Sequence, residues 1–153
     1  MPSEPEVHFI DTNVFVYAAS VPMDGDGELA DLRAGSRRVV EELAEGRIRG
    51  VTSITVLQEV MYLLARWARQ RQEPRLHQVA QRLARSTMAL VDEVLAPTSL
   101  EFARAVEAYS QGRDINDLLI AETMLVRGIP VVISADRGLE RLGLRRRDPR
   151  EWV

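Results

Sequence analysis

The sequence predicts an α/β protein built on a parallel sheet that helices cover on both faces. Short apolar runs rich in β-branched residues, of which Val131–Ile133 is the clearest, alternate with longer segments of helical periodicity. Such alternation is typical of βαβ units. Gly128 and Pro130 end one helical segment in the expected order. At 153 residues the chain has the length of one domain, so we expect residues 1–153 to form a single domain.

The elements follow from this alternation in chain order. We expect a strand at Val7–Ile10 with a short helix after it, and Ser36 and Ser53 as the N-caps of two later helices. The arginines at 145–147 are expected to form a basic tail. The remaining strands are expected at 48–53, 91–96 and 131–133, and the helices at 14–19, 36–45, 54–72, 74–90, 100–110, 114–127 and 137–142.

Composition excludes several chemistries. The chain contains no cysteine, all 20 basic residues are arginine, and the only histidines are His8 and His77. Thiolate nucleophiles, zinc-cysteine sites, P-loops and Schiff-base lysines are therefore excluded. The acidic stretch 24–28 is similar to a calcium loop but lacks the glycine and glutamate at the required positions. Carboxylates remain as the candidate catalytic groups.

No membrane or export segment is predicted. Residues 1–6 are acidic and polar, unlike the start of a signal peptide, and no apolar run reaches about 18 residues. We therefore expect a cytoplasmic protein. The net charge of −3 does not indicate nucleic-acid binding, although segregated charges make net charge a weak guide.

Two acids follow predicted strands directly. Asp11 lies between the first strand and its helix, and Asp136 lies just past the strand at Val131–Ile133. Ligands of open α/β sheets bind outside the carboxyl ends of the strands, so both are candidate site residues. Asp11 can equally serve only as the N-cap of the next helix.

Two further acids are placed in the opening turns of helices. Asp117 lies on an otherwise apolar stripe, where an unpaired carboxylate would cost on the order of several kcal/mol if buried. One alternative is a capping box with Asp114 as N-cap and Asp117 at the third position. The other is that Asp11, Glu59, Asp117 and Asp136 converge at one edge of the sheet. Clustered carboxylates without His or Cys would select Mg²⁺ or Mn²⁺.

Four motifs resemble those of the PIN-domain ribonucleases, in particular the VapC-type toxins of toxin-antitoxin modules. They occur in the same order as in that family and span nearly the whole chain. They are Phe9-Ile10-Asp11-Thr12-Asn13-Val14, Ser53 with Gln58-Glu59-Val60, Ile115-Asn116-Asp117-Leu118-Leu119-Ile120-Ala121, and Val131-Val132-Ile133-Ser134-Ala135-Asp136-Arg137-Gly138.

The resemblance implies a three-layer α/β/α sandwich with a central parallel sheet. It also implies Mg²⁺- or Mn²⁺-dependent cleavage of RNA, a homodimer and a cognate antitoxin. By position, Asp11, Glu59, Asp117 and Asp136 match the family's catalytic and metal-binding acids. Asp114 lies close enough to confuse the third of these positions, and the spacing to Ala121 favours Asp117. The supporting polar positions match Thr12, Asn13 and Ser134.

Two other functions remain open at this level. A haloacid-dehalogenase-like phosphatase also places an Asp after its first strand, but it requires a second Asp where this chain has Asn13, and usually a lysine. A non-catalytic binding module on the same fold is the other alternative, and the retained acids argue against it.

Arginines are concentrated in two helices and near the carboxyl terminus. Ordinary solvated helix faces explain this pattern, and a surface that follows RNA phosphates is the alternative. We expect the phosphate-contacting residues, if that surface exists, to be Arg66, Arg69, Arg82, Arg85 and Arg145-Arg146-Arg147.

Overall fold

A computed structural model shows a five-stranded parallel sheet with helices on both faces, which confirms the predicted α/β/α class. It describes residues 3–19, 21–22, 27, 29–109 and 113–153. Most of the acidic stretch 24–28 and the helix-breaking Gln111 and Gly112 therefore lie outside the described residues. The elements are β1 (Val7–Ile10), α1 (Thr12–Ala18), α2 (Ala30–Ala44), β2 (Arg49–Ser53), α3 (Ile54–Arg71), α4 (Arg75–Leu90), β3 (Glu93–Leu95), α5 (Ser99–Ala108), α6 (Ile115–Arg127), β4 (Val131–Ile133), a 3₁₀ helix (Arg137–Leu142), β5 (Arg145–Arg147) and a second 3₁₀ helix (Pro149–Trp152).

The strand order β3-β2-β1-β4-β5 places β1 at the centre of the sheet. The chain builds β1, β2 and β3 towards one edge and then returns to add β4 and β5 on the other side of β1. Phe9 consequently pairs with Val51 on one side and with Val132 on the other. The order of the strands reverses between β1 and β4, so the crevice outside their carboxyl ends is the topological switch point of the sheet.

The core lies on both faces of the sheet. Phe9, Ile10 and Ile133 are fully buried, as expected for central parallel strands with helices above and below. One apolar cluster surrounds these strands, and a second, containing Val60 and Leu64 of α3, forms between α1, α3 and α4. This second cluster packs against α3 and so fixes which face of α3 lies towards the switch point.

Local sequence signals predict most helix ends correctly. Ser53 caps α3, with its hydroxyl accepting from the Val56 N–H at 3.3 Å, and Asp114 caps α6. Gly128 ends α6 with a φ of +67°, a conformation that favours glycine. Among the described residues, no helix is both long and apolar enough to span a bilayer.

The predicted start of α2 is wrong. The helix begins at Ala30, and Ser36 is a buried residue inside it rather than its N-cap. Gly35 also lies inside this helix, where it contacts the carboxyl-terminal segment. A Cβ atom there would lie 2.0 Å from the carbonyl oxygen of Pro149. The glycine is needed for packing with a distant segment, which local sequence cannot reveal.

The predicted basic tail is also wrong, because Arg145–Arg147 form the edge strand β5. Arg146 is almost buried and donates to Asp148 at 3.1 Å and to the Ser134 carbonyl at 2.8 Å. Arg147 stacks over the Trp152 ring at 4.0 Å. Nearby acids and an aromatic ring pair with Arg146 and Arg147, so these two arginines join the sheet to the carboxyl-terminal segment.

The contact between Gly35 and Pro149 predicts that Gly35→Ala destabilises the chain. Helix propensity alone would predict a gain of about 1 kcal/mol, whereas the clash should give a net loss of about 1–3 kcal/mol. Urea unfolding measures the change, and Trp152 fluorescence reports release of the last 3₁₀ helix. Gly27→Ala is the control, since a Cβ at Gly27 meets no atom within 4 Å. An equal or higher stability of Gly35→Ala would show that Pro149 does not require a glycine at this position.

Candidate active site

The candidate site lies at the switch point, where β1 and β4 end side by side. Ile10 and Ile133, the last residues of the two strands, are paired in register. Asp11 and Ser134 come next in each chain segment, so both lie at the same edge of the sheet. This is the crevice in which open α/β sheets bind ligands.

The Asp11 carboxylate is buried and hydrogen-bonded through both oxygens. The residue is 5% exposed. Its Oδ1 accepts from the Thr12 N–H at 2.8 Å, which caps α1, and its Oδ2 accepts from the Ser134 hydroxyl at 2.7 Å. Burial raises the pKa of Asp11 and the charge of Asp136 adds to this, while the hydrogen bonds oppose it. Asp11 is therefore both an N-cap and a residue of the crevice.

Asn13 and Ser134 join α1 to the turn after β4. The Asn13 side-chain N–H donates to Asp11 Oδ2 and to Ser134 Oγ, each at 3.2 Å. Its carbonyl oxygen accepts from the Ala135 N–H at 3.0 Å. The Ser134 hydroxyl oxygen also accepts from the Asp136 N–H at 2.9 Å. Both side chains thus hold Asp11 in place, which suits the supporting role expected of them.

Glu59 reaches the site from the second turn of α3. Its Oε2 accepts a long hydrogen bond of 3.4 Å from the Thr12 hydroxyl. Its Oε1 is buried and has no hydrogen-bond partner among the described residues. Burial, together with the charges of Asp11 and Asp117, raises the pKa of Glu59 to about 7. An unpaired buried carboxylate oxygen is costly, so Glu59 is suited to accept a proton or a cation.

Asp117 lies on the first turn of α6, behind the N-cap Asp114. The Asp114 side chain accepts from the Asn116 and Asp117 N–H groups at 2.7 and 3.2 Å. Burial raises the pKa of Asp117 to about 7, and the charges of Asp11, Asp114 and Asp136 add to the effect. Asp114 therefore caps the helix, but among the described residues the Asp117 carboxylate does not accept from the Asp114 N–H, so the expected capping box is not formed. Asp117 lines the crevice instead.

Asp136 is the most exposed of the four acids. It caps the 3₁₀ helix after β4, with Oδ1 accepting from the Gly138 N–H at 2.8 Å. Its charge contributes to the raised pKa values of Asp11 and Asp117. Asp136 therefore lies close enough to interact with both acids, at the solvent side of the cluster.

All four predicted acids line one cleft of about 230 Å³. We call this the active-site cleft. One end is acidic and carries Thr12 and Asn13, and the other is apolar and aromatic. The full lining is Asp11, Thr12, Asn13, Val16, Tyr17, Glu59, Leu63, Trp67, Asp117 and Asp136. Sequence reasoning missed the aromatic end, although Leu63 and Trp67 follow Glu59 at spacings of four and eight, which places them near one face of α3.

A second cavity of about 300 Å³ adjoins the cleft and shares Asp117 and Asp136 with it. Two arginines line it, Arg113 before α6 and Arg141 in the 3₁₀ helix. Neither forms an ion pair with a carboxylate in the part of the chain that the structure describes. Sequence reasoning missed both, because only the fold brings them beside the acids.

The chemistry of the cleft fits a hard divalent cation. Its candidate ligands are carboxylates without His or Cys, and the unpaired Oε1 of Glu59 lacks a positive or hydrogen-bonding partner within the described ranges. The type of ligand atom fits a cation, although the described side chains do not form a complete coordination site. Among the described residues, no three acidic or imidazole side chains are already grouped as metal ligands.

The chain belongs to the PIN domain family. The family model matches residues 8–144, a range that contains all four motifs. This confirms the resemblance that the motifs indicated. A comparison with curated proteins finds no match.

Solved structures with a similar fold include VapC and VapBC proteins. VapC20 of Mycobacterium tuberculosis, a sarcin-ricin loop cleaving toxin, has a TM-score of 0.65 at 20% identity, over 91% of this chain and 96% of that one. DNA-bound VapBC from Salmonella typhimurium has a TM-score of 0.62 at 16% identity, over 95% and 98%. VapBC2 from Rickettsia felis, bound to a promoter DNA fragment, has a TM-score of 0.60 at 16% identity, over 93% and 98%. At these identities the likeness shows the fold.

The raised pKa of Glu59 predicts that the stability of the wild-type chain depends on pH. Glu59→Gln should weaken this pH dependence. Glu59 binds its proton with a pKa of about 7 in the folded chain against an ordinary value of 4.5. The folded state then holds more protons between these values, so this contribution to stability is present below pH 4.5 and is lost as the pH rises through 7. Above pH 7 the metal-free Gln variant should be more stable than the wild type by about 1 kcal/mol.

Chemical unfolding of metal-free protein across this pH range measures the difference. Glu107→Gln, an exposed glutamate on α5 outside the cleft, is the matched control and should follow the wild type. Equal pH slopes for the wild type and Glu59→Gln would show that Glu59 is not under electrostatic stress.

Proposed function

We propose that this chain, as a single PIN domain over residues 1–153, is a Mg²⁺- or Mn²⁺-dependent endoribonuclease of the VapC type. The observation that carries the proposal is the convergence of four acids from four segments on one cleft at the switch point. Asp11, Glu59, Asp117 and Asp136 would hold the cation. When bound, it would neutralise these carboxylates and polarise both the phosphodiester and the attacking water.

The protein's own groups have distinct roles in this proposal. Asp11 is the fixed ligand, because Ser134 and Asn13 hold its carboxylate rigidly. Asp117 from α6 and Asp136 from the segment after β4 line the same cleft. Glu59 has one oxygen without a hydrogen-bond partner among the described residues and a pKa of about 7, so it can bind the cation or orient water and take its proton near neutral pH.

Arginines outside the acid cluster would attract the RNA backbone. Arg113 and Arg141 adjoin Asp117 and Asp136 and can contact a phosphate next to the one attacked. Among the positions expected from sequence, the exposed ones on the helices form no ion pairs with described carboxylates, and we keep them as phosphate contacts. They are Arg66, Arg69, Arg82 and Arg85.

The similar folds support a toxin role with a cognate antitoxin, since the structures from Salmonella typhimurium and Rickettsia felis are of VapBC. We extend this to a homodimer and a cytoplasmic location, as expected from the family. With family membership established, the phosphatase alternative loses its basis. In place of the second Asp that a phosphatase needs, Asn13 donates a hydrogen bond to Asp11.

Asp11→Asn tests the site. The amide keeps the shape but loses the ligand charge, so we expect Mn²⁺ affinity and RNA cleavage to fall by more than about 100-fold, since supporting residues alone are often worth about 10–100-fold. Calorimetry and single-turnover cleavage on protein freed of contaminating nucleases measure both. Asp31→Asn, an exposed acid on α2, is the control. Full activity of Asp11→Asn would refute the assignment.

The arginine roles are separable from the chemistry by salt dependence. Arg113→Gln or Arg141→Gln should weaken RNA binding and lower its salt slope by about 0.7–0.9 for each phosphate that is no longer neutralised. Arg145→Gln is the control, because Arg145 pairs with Glu6 at the opposite end of the sheet. Asp117→Asn should abolish turnover and leave metal-free RNA affinity nearly unchanged. Unaltered salt slopes in both arginine variants would show that neither arginine contacts the RNA backbone.

A further inference from the structure

The active-site cleft has a second half that the carboxylate chemistry does not use. Tyr17, Leu63 and Trp67 line it, continuous with the acids in the same cavity. Trp67 lies eight residues after Glu59 on α3, a rise of about 12 Å along the helix. The aromatic end therefore begins within a nucleotide or two of the acidic end.

Trp67 is held in position from two sides. Its ring packs against the apolar cluster that contains Leu64 and Ala68. The Arg71 guanidinium lies over the ring, 4.6 Å from its centroid, and also donates to the Pro22 carbonyl. A cation stacked on the ring and anchored to backbone restrains the indole, so the part of Trp67 that lines the cleft is preorganised rather than mobile.

The polar atoms of this half of the cleft lack partners in the part of the chain that the structure describes. There, neither the Trp67 indole N–H nor the Tyr17 hydroxyl forms a hydrogen bond. Both residues are half-buried, and these two donors remain accessible to a ligand rather than sealed in the core. A ligand that fills this space should therefore offer a flat apolar face together with hydrogen-bond acceptors at its edge.

We infer that this end of the cleft binds a nucleobase that flanks the phosphate positioned at the acids. The inference rests on the proposed ribonuclease function and adds to it a base-binding subsite formed by Tyr17, Leu63 and Trp67. A base has the required flat face and edge acceptors, and it can pack against the Tyr17 ring and the part of Trp67 that lines the cleft. An aliphatic side chain of a protein partner would fill the space but leave the indole and hydroxyl donors unpaired.

Fluorescence can isolate the response of Trp67, since the chain has only two tryptophans. In a Trp152→Phe variant, shown by circular dichroism to be folded, Trp67 is the sole reporter. Metal-free protein is titrated with a short oligoadenylate and with an abasic ribose-phosphate oligomer of equal length. The two probes carry the same backbone charge, so the difference isolates the bases. We expect oligoadenylate to quench Trp67 and the abasic oligomer to bind without quenching.

Two variants test the affinity. Trp67→Leu should weaken oligoadenylate binding about tenfold and leave the abasic oligomer unaffected. Tyr17→Phe keeps the ring and should show a smaller loss, which guards against a folding defect in Trp67→Leu. Met61→Leu, an exposed apolar position elsewhere on α3, is the control. Anisotropy with labelled oligomers measures all of these affinities.

The outcomes separate this inference from the proposed function. Equal binding and equal quenching by both oligomers would overturn the base site, while Mg²⁺-dependent cleavage of RNA by the same protein would leave the nuclease intact. Quenching by an apolar helical peptide and not by oligoadenylate would overturn the base site and assign this end to a protein partner instead. Quenching by oligoadenylate without any metal-dependent cleavage would retain the base site and refute the nuclease.

Discussion

A buried carboxylate needs hydrogen-bond donors, and this requirement of Asp11 couples the two halves of the sheet. Its donors come from α1 through Thr12 and Asn13, and from the segment after β4 through Ser134. Asn13 is itself held by a neighbour, because its side-chain oxygen accepts from the Ala135 N–H. The pairing of β1 with β4 thus fixes the position of Asp11, and with it the centre around which the other acids of the cleft are arranged.

The other acids are arranged against their own electrostatic preference. Glu59 and Asp117 lie near Asp11 without an arginine partner among the described residues, and burial with mutual repulsion raises both pKa values to about 7. By contrast, Glu140 and Asp148 near the carboxyl terminus are neutralised by Arg146. Of these two groups of acids, the one in the cleft is left under electrostatic stress. Electrostatic stress of this kind is typical of functional sites, and a bound cation would relieve it.

The fold was predictable where local physics decides it. Strand β1, the Ser53 cap of α3 and the Asp114 cap of α6 all follow from neighbouring residues. The errors lie where distant segments meet. The helix expected to start at Ser36 starts at Ala30 instead, and Gly35 inside it contacts Pro149. The arginines of β5 suggest a tail in the sequence because their partners come together only in the folded chain. These partners are Glu6 for Arg145, Glu140 and Asp148 for Arg146, and Trp152 for Arg147.

The candidate site shows the same division between local and distant information. Acids next to strands and caps could be found from sequence because parallel strands end at one edge. Trp67, Arg113 and Arg141 carry no such mark, since tryptophan on a helix usually indicates core and arginine usually indicates solvent. The chain as a whole is acidic, with a pI near 5.5. Because these three residues lie beside the acids, the protein nevertheless has a local cationic and aromatic surface next to the carboxylates of the cleft. The distribution of charge around the cleft, rather than its sum, therefore determines whether the protein can bind a polyanion.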